Sequence, residues 1–126
     1  MRLLLDTHTL LWWLNDDSRL TPDARAAIAS LESEVFVSLA TCWEIAVKVA
    51  IGKLKFPVED LAAQLTDNQF QHLSITLLHV NTLAALPLHH RDPFDRMLIS
   101  QALAEKLTLV SGDRIMDKYA VEVMAV

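Results

Sequence analysis

Met1-Arg2-Leu3-Leu4-Leu5-Asp6-Thr7-His8-Thr9-Leu10-Leu11-Trp12-Trp13-Leu14-Asn15 opens the chain. Arg2 to Leu5 is a short apolar run that stops at an acid, which suits a buried strand. Thr9 to Asn15 is apolar on all sides and suits a buried helix, ended by Asp16-Asp17-Ser18. The pattern then recurs. Val35 to Leu39 is β-branched and aromatic, and reads as a second strand. Thr41 to Ile51 has helical spacing and ends at Gly52. Leu107 to Ser111 is another strand, with Asp113 just past it.

The remaining segments fill in the alternation. Thr21-Pro22-Asp23 is a cap with proline at the first helical position, and predicts a helix to about Leu31. Pro57 opens another, through about Phe70. Leu73 to Thr76 is a short strand, followed by a helix from about Leu78 to Leu86. Asp92-Pro93 starts a helix to Lys106, Asp113 to Tyr119 is a turn or short helix, and Val121 to Val126 is a last strand. Strands alternating with helices imply a parallel sheet with helices on both faces. Ligands bind such sheets beyond the carboxyl ends of the strands. That is where the acids fall.

At 126 residues, with 52% hydrophobic residues and only two glycines and four prolines, the chain has the material for one packed core. No repeat or linker divides it, so a single domain over residues 1–126 is expected. Cys42 is the only cysteine, which rules out an internal disulfide and a multi-cysteine metal site. A reducing, cytoplasmic location is the natural expectation. Asp6 cuts the N-terminal apolar run too early for a signal peptide. Asn68 to His90 contains no Asp, Glu, Lys or Arg, yet Gln69, Gln71, His72, Asn81, Pro87 and His89 make it a poor bilayer segment. No membrane association is expected.

Each acid near a strand end has an ordinary structural reading. Asp6 precedes a helix and suits an N-cap. Glu44 lies three residues after Thr41, the spacing of a capping box. Asp92 stands before a first-turn proline, and Asp95 in the first turn is favoured by the helix dipole. Asp113 follows a glycine in a turn. Four acids converging on one edge of one sheet are harder to explain by capping alone. Crowded carboxylates repel unless protons or cations intervene, and hard oxygen ligands select magnesium or manganese. Two such ions about 4 Å apart can activate a water and steady the leaving oxygen of a phosphodiester.

The net charge of −5, from 16 acids against 11 bases, sits awkwardly with a polyanionic substrate. Metal held by four of the acids would leave the rest near balance and reverse the local sign.

Leu4-Leu5-Asp6-Thr7-His8, Trp43-Glu44-Ile45, His90-Arg91-Asp92-Pro93-Phe94-Asp95-Arg96 and Ser111-Gly112-Asp113 occur in the order seen in PIN domains. Over nearly its whole length the chain resembles the toxin nucleases of bacterial VapBC toxin–antitoxin pairs. The resemblance implies a three-layer α/β/α fold around a parallel sheet of about five strands. It implies Mg²⁺- or Mn²⁺-dependent endoribonuclease activity on RNA, inhibition by a small antitoxin protein, and pairing into a homodimer. Asp6, Glu44, Asp95 and Asp113 take the acidic catalytic and metal-binding positions. Thr7, or Ser111, takes a supporting hydroxyl position. Asp92 is either a cap or a ligand, since either acid of its stretch could face metal.

Arg91, Arg96, Arg114 and Lys118 flank the acids and are candidate phosphate contacts, with solvated surface charge as the ordinary alternative. Trp12, Trp13 and Trp43 could stack on bases, but buried core or partner contact is the ordinary role. The five histidines are scattered, and His89-His90 is a weak ligand signal. A dinucleotide-binding turn and a P-loop are excluded by the shortage of glycine. A haloacid-dehalogenase-like phosphatase needs an acid where His8 stands, and a receiver domain needs an acidic pair that the residues around Asp6 lack. The remaining alternative is a PIN-like domain that has lost catalysis and serves as a binding module for RNA or protein.

Overall fold

Leu3, Leu4 and Leu5 are all buried, and their alternation along one strand divides the core in two. Leu3 and Leu5 pack with Val35, Val37 and Val110 on one face of a sheet, against Leu10, Ala24, Ile28, Leu61 and Leu65. Leu4 faces the other way with Leu109, against Leu98, Ile99, Ala102, Met116 and Tyr119. A strand buried on both faces needs helices on both sides, and the result is three layers. The computed structural model describes residues 1–126.

The strands are β1 (Arg2–Leu5), β2 (Glu34–Ser38), β3 (Gln71–Leu73), β4 (Thr108–Ser111) and β5 (Val123–Ala125). The helices are α1 (Thr7–Leu14), α2 (Pro22–Ala29), α3 (Leu39–Ala50), α4 (Leu61–Asp67), α5 (Leu77–Ala84) and α6 (Pro93–Glu105). The sheet order is β3-β2-β1-β4-β5, with every neighbouring pair parallel. From β1 the chain steps outward through β2 to β3, then crosses back to lay β4 on the other side of β1. The switch point therefore lies between β1 and β4, where Leu5 pairs with Val110.

Several boundaries differ from the sequence expectation for identifiable reasons. Helix α1 starts at Thr7, because Asp6 itself caps it through Thr9 N–H. Helix α3 starts at Leu39 under a Ser38 cap, two residues ahead of the expected Thr41. Glu44 therefore stands in the helix's second turn and takes no part in a capping box. The long helix expected from Pro57 breaks into a 3-10 turn (Val58–Asp60) and α4, and Phe70 lies outside it. Strand β3 lies at Gln71–Leu73, earlier than expected, because the Thr76 side chain caps α5. No helix is long and apolar enough to cross a membrane, the uncharged stretch around α5 included.

Candidate active site

Short connections bring the acids together. Asp6 directly follows β1, and Asp113 lies two residues past β4, so the two flank the switch point. Helix α3 leaves β2 on the same edge and presents Glu44 on its inner side, where it is buried. Helix α6 begins at that edge, with Asp92 as its cap and Asp95 in its first turn. A cavity of about 130 Å³ results, lined by Asp6, Thr7, His8, Glu44, Lys48, Asp92, Asp95 and Asp113, with no apolar residue among them. Three larger hollows, two of about 310 Å³ and one of about 200 Å³, bring together no comparable cluster of acids. Chemistry, not size, marks the site.

Capping and site membership turn out to be compatible. Asp6 Oδ1 accepts from Thr9 N–H at 2.9 Å, Asp92 Oδ1 from Asp95 N–H at 2.9 Å, and Asp113 Oδ1 from Ile115 N–H at 3.0 Å. Each cap uses one carboxylate oxygen and leaves Oδ2 for other partners. The positive helix ends also favour negative charge there. Asp92 is thus the cap of α6, as its position before Pro93 implies, while still lining the cavity.

Glu44 is held from two sides. Thr7 Oγ1 donates to Oε1 at 2.6 Å, and Lys48 Nζ donates to Oε2 at 2.7 Å. Thr7 thereby fixes one oxygen of a buried carboxylate. Ser111 acts one step further out, its Oγ accepting from Asp113 N–H at 3.0 Å and shaping the turn that carries that acid. The hydrogen bond to Glu44 raises the Lys48 ammonium above the ordinary lysine range, with burial opposing and the charges of Glu44, Asp92 and Asp95 adding. Lys48 escapes a motif-based reading, although its i+4 spacing from Glu44 on one helix face is a usable signal.

Asp95 shows the cost of crowding. Burial pushes its carboxyl up from 3.8 to about 7, and Asp92 adds to the rise. His90 opposes it, while Asp6 and Glu44 add again. His90 was expected to carry little weight. Instead its Nε2 lies 2.9 Å from Asp95 Oδ2 and 3.1 Å from Asp113 Oδ2, joining α6 to the β4 turn. The three ligand-capable atoms of His90, Asp95 and Asp113 lie within 4.8 Å of one another.

The basic residues separate clearly. Arg91, Arg114 and Lys118 are exposed. Arg96 corrects the expectation of a phosphate contact. Its guanidinium donates to Pro87 O at 2.9 Å and Leu83 O at 3.3 Å, turned back onto the loop between α5 and α6. Buried Tyr119 braces the same loop, its hydroxyl accepting from His89 and His90 N–H and donating to Pro87 O. Among the tryptophans, Trp12 stacks on His8 and Trp13 packs against Phe70, whereas Trp43 is 61% exposed and meets Phe94 edge-on.

The donor set tests well against a hard divalent cation. Five carboxylates and a hydroxyl are oxygen ligands of the kind magnesium and manganese prefer, and no thiolate is present among them. The raised carboxyl of Asp95 is what a cation at this place would relieve.

Comparison with known proteins bears on the family and the fold. The model of the PIN domain family matches residues 3–122. Ribonuclease VapC22 of Mycobacterium tuberculosis (strain ATCC 25618 / H37Rv) is 30% identical over 115 residues, spanning 89% of this chain and 87% of that protein. Among solved structures, VapBC2 from Rickettsia felis, bound to a DNA fragment from its promoter, superposes with a TM-score of 0.79 at 16% identity, covering 100% of this chain and 99% of that one. The DNA-bound VapBC of Salmonella typhimurium gives 0.69 at 14% identity, over 99% and 98%.

Proposed function

The chain belongs to the PIN-domain family, in its VapC ribonuclease branch, and from that footing we propose that it is a divalent-metal-dependent endoribonuclease, the toxin of a toxin–antitoxin pair. The observation that carries this reading is the convergence of Asp6, Glu44, Asp95 and Asp113 on one polar cavity at the switch point of the sheet. A module that only bound RNA or protein would have no use for a carboxyl raised to about 7 by burial, and further by the acids around it.

Asp6, Glu44, Asp95 and Asp113 are the residues that would hold Mg²⁺ or Mn²⁺, with Asp92 as cap and outer neighbour. A cation bound there supplies Lewis-acid polarisation of a phosphoryl oxygen and a water of lowered pKa. The chain's own groups do the rest. Thr7 fixes the orientation of Glu44, and the Lys48 ammonium lies at the same wall of the cavity, where it can meet a phosphate oxygen. Arg91, Arg114 and Lys118 offer exposed positive charge to the RNA backbone on either side.

Two protein partners belong to the proposal. The VapBC assemblies among the similar structures support an antitoxin, whose basic or polar tail would enter the acidic cleft. A second copy of this chain is the other. Leu39, Trp43 and Val47 of α3 and its C-cap Ile51, four residues apart, form an exposed apolar stripe of the kind a homodimer covers.

Purified protein should cleave generic RNA with Mg²⁺ or Mn²⁺ and not with EDTA. Asp6→Asn and Asp95→Asn should abolish cleavage while the far-UV spectrum stays that of a folded chain. Full activity in Asp6→Asn would remove the assignment, and an inert wild type with metal present would favour the binding module.

A further inference from the structure

We propose that His90 is a positioning residue, donating its Nε2–H to Asp113 and packing the same nitrogen against Asp95 so that both carboxylates face the metal site, and that it does not itself ligate metal. The inference rests on the metal-dependent reading above and goes further into the same site.

The argument begins with the tautomer. His90 Nδ1 accepts from the backbone N–H of Asp92 at 3.2 Å. An accepting Nδ1 carries a lone pair, so the ring proton lies on Nε2. That proton is hydrogen-bonded to Asp113 Oδ2 at 3.1 Å, and Asp95 Oδ2 lies 2.9 Å from the same nitrogen. Ligation through Nε2 would move the proton to Nδ1, against the Asp92 N–H. Geometry that gathers His90 with two acids therefore looks like a three-ligand metal site while its hydrogen bonds argue for a donor.

The ring is well anchored for this task. Its side chain is 13% exposed, and the His90 backbone N–H donates to the buried Tyr119 hydroxyl at 2.8 Å. Asp95 and Asp113 come from different elements, α6 and the turn after β4, and share no other direct partner. Only His90 spans both. Groups that orient ligands in this way commonly change metal affinity by roughly 10–100-fold when removed.

Two substitutions separate the clamp from the loop. His90→Asn keeps an acceptor near Nδ1 for Asp92 N–H but cannot reach the carboxylates. His90→Gln places an amide N–H near the Nε2 position. Mn²⁺ is titrated into each folded protein and the free ion read by electron paramagnetic resonance, with pulsed measurements on the bound ion for directly coordinated ¹⁴N. The expectation is roughly 10-fold or greater weakening in His90→Asn, near wild-type affinity in His90→Gln, and no coordinated ¹⁴N in the wild type. Unchanged affinity in His90→Asn would overturn the clamp, and a coordinated ¹⁴N that vanishes in His90→Gln would make His90 a ligand instead. Either result leaves the metal reading standing. A wild type that binds no Mn²⁺ brings down both.

Discussion

Asp92 and Asp95, three residues apart, have opposite relations to the charge around them. Asp92 Oδ1 accepts from Asp95 N–H and caps α6, so Asp92→Ala should cost about 0.5–2 kcal/mol of stability, read as a lower melting temperature. Asp95 is the crowded member, its carboxyl raised to about 7 by burial first and by Asp92 next. The linkage follows from that direction. In metal-free protein the folded state holds the Asp95 proton between roughly pH 4 and pH 7 while the unfolded state releases it, so this group's stabilising contribution falls as pH rises through that window. Asp95→Asn does not titrate. Its melting temperature in EDTA should match wild type near pH 4, pull ahead as pH rises to 7, and hold a constant lead above. A lead that is absent at pH 8, or that Asp92→Ala shows in its place, would mean that the two acids are reversed. At this scale the sequence was informative about position and misleading about exclusivity. Asp6 and Asp92 could each be read as cap or site residue and Asp113 as turn acid or site residue, and the structure makes each a cap through one oxygen and a cavity wall with the rest.

Helix α3 shows where local pattern and real boundary part company. Thr41 and Glu44 have capping-box spacing, but Ser38 already caps the helix through Ala40 N–H, and Thr41 is buried within it. The strand simply runs into the helix without a loop, and nothing in the local spacing reveals that. Once Glu44 is freed of capping, its position one turn before Lys48 becomes the feature that matters. Lys48→Met leaves a buried carboxylate with Thr7 as its remaining side-chain donor, beside four other acids. The loss in EDTA should be about 1–3 kcal/mol, below that for a fully buried pair because Lys48 is partly exposed. Mg²⁺ supplies positive charge at the same place, so the deficit against wild type should shrink in its presence. Melting curves with and without Mg²⁺ decide it, and an equal deficit in both would separate Lys48 from the metal site. The loop before α6 was the least legible element. Its form depends on Arg96 and Tyr119 filling carbonyls and amides of Leu83, Pro87, His89 and His90, contacts spread over more than thirty positions of chain.

At the scale of the molecule, alternation of strands and helices announced a parallel sheet, and burial on both faces of β1 makes it three-layered. Strand order was not legible, because pairing β1 with β4 depends on packing across some hundred residues and not on any local signal. Yet that order places Asp6 beside Asp113 and so makes the site. The same long-range packing decides which apolar residues stay outside. A helix with a buried inner side that still shows Leu39, Trp43, Val47 and Ile51 on its exterior has more apolar surface than this chain covers, and Ile51 alone is 60% exposed. A second copy of the chain, applied about a two-fold axis, would set stripe against stripe and bury both at once. Charge placed in that stripe should therefore act on assembly and not on folding. Wild type at micromolar concentration should elute with light-scattering mass near twice 14.1 kDa, and Val47→Glu with Ile51→Glu should return it to the monomer mass at an unchanged far-UV spectrum. Both positions lie outside the acid cavity, so Mn²⁺ binding per chain should persist in the monomer. A doubly substituted chain that stays dimeric would move the interface elsewhere, and a monomeric wild type would leave the α3 stripe to the antitoxin.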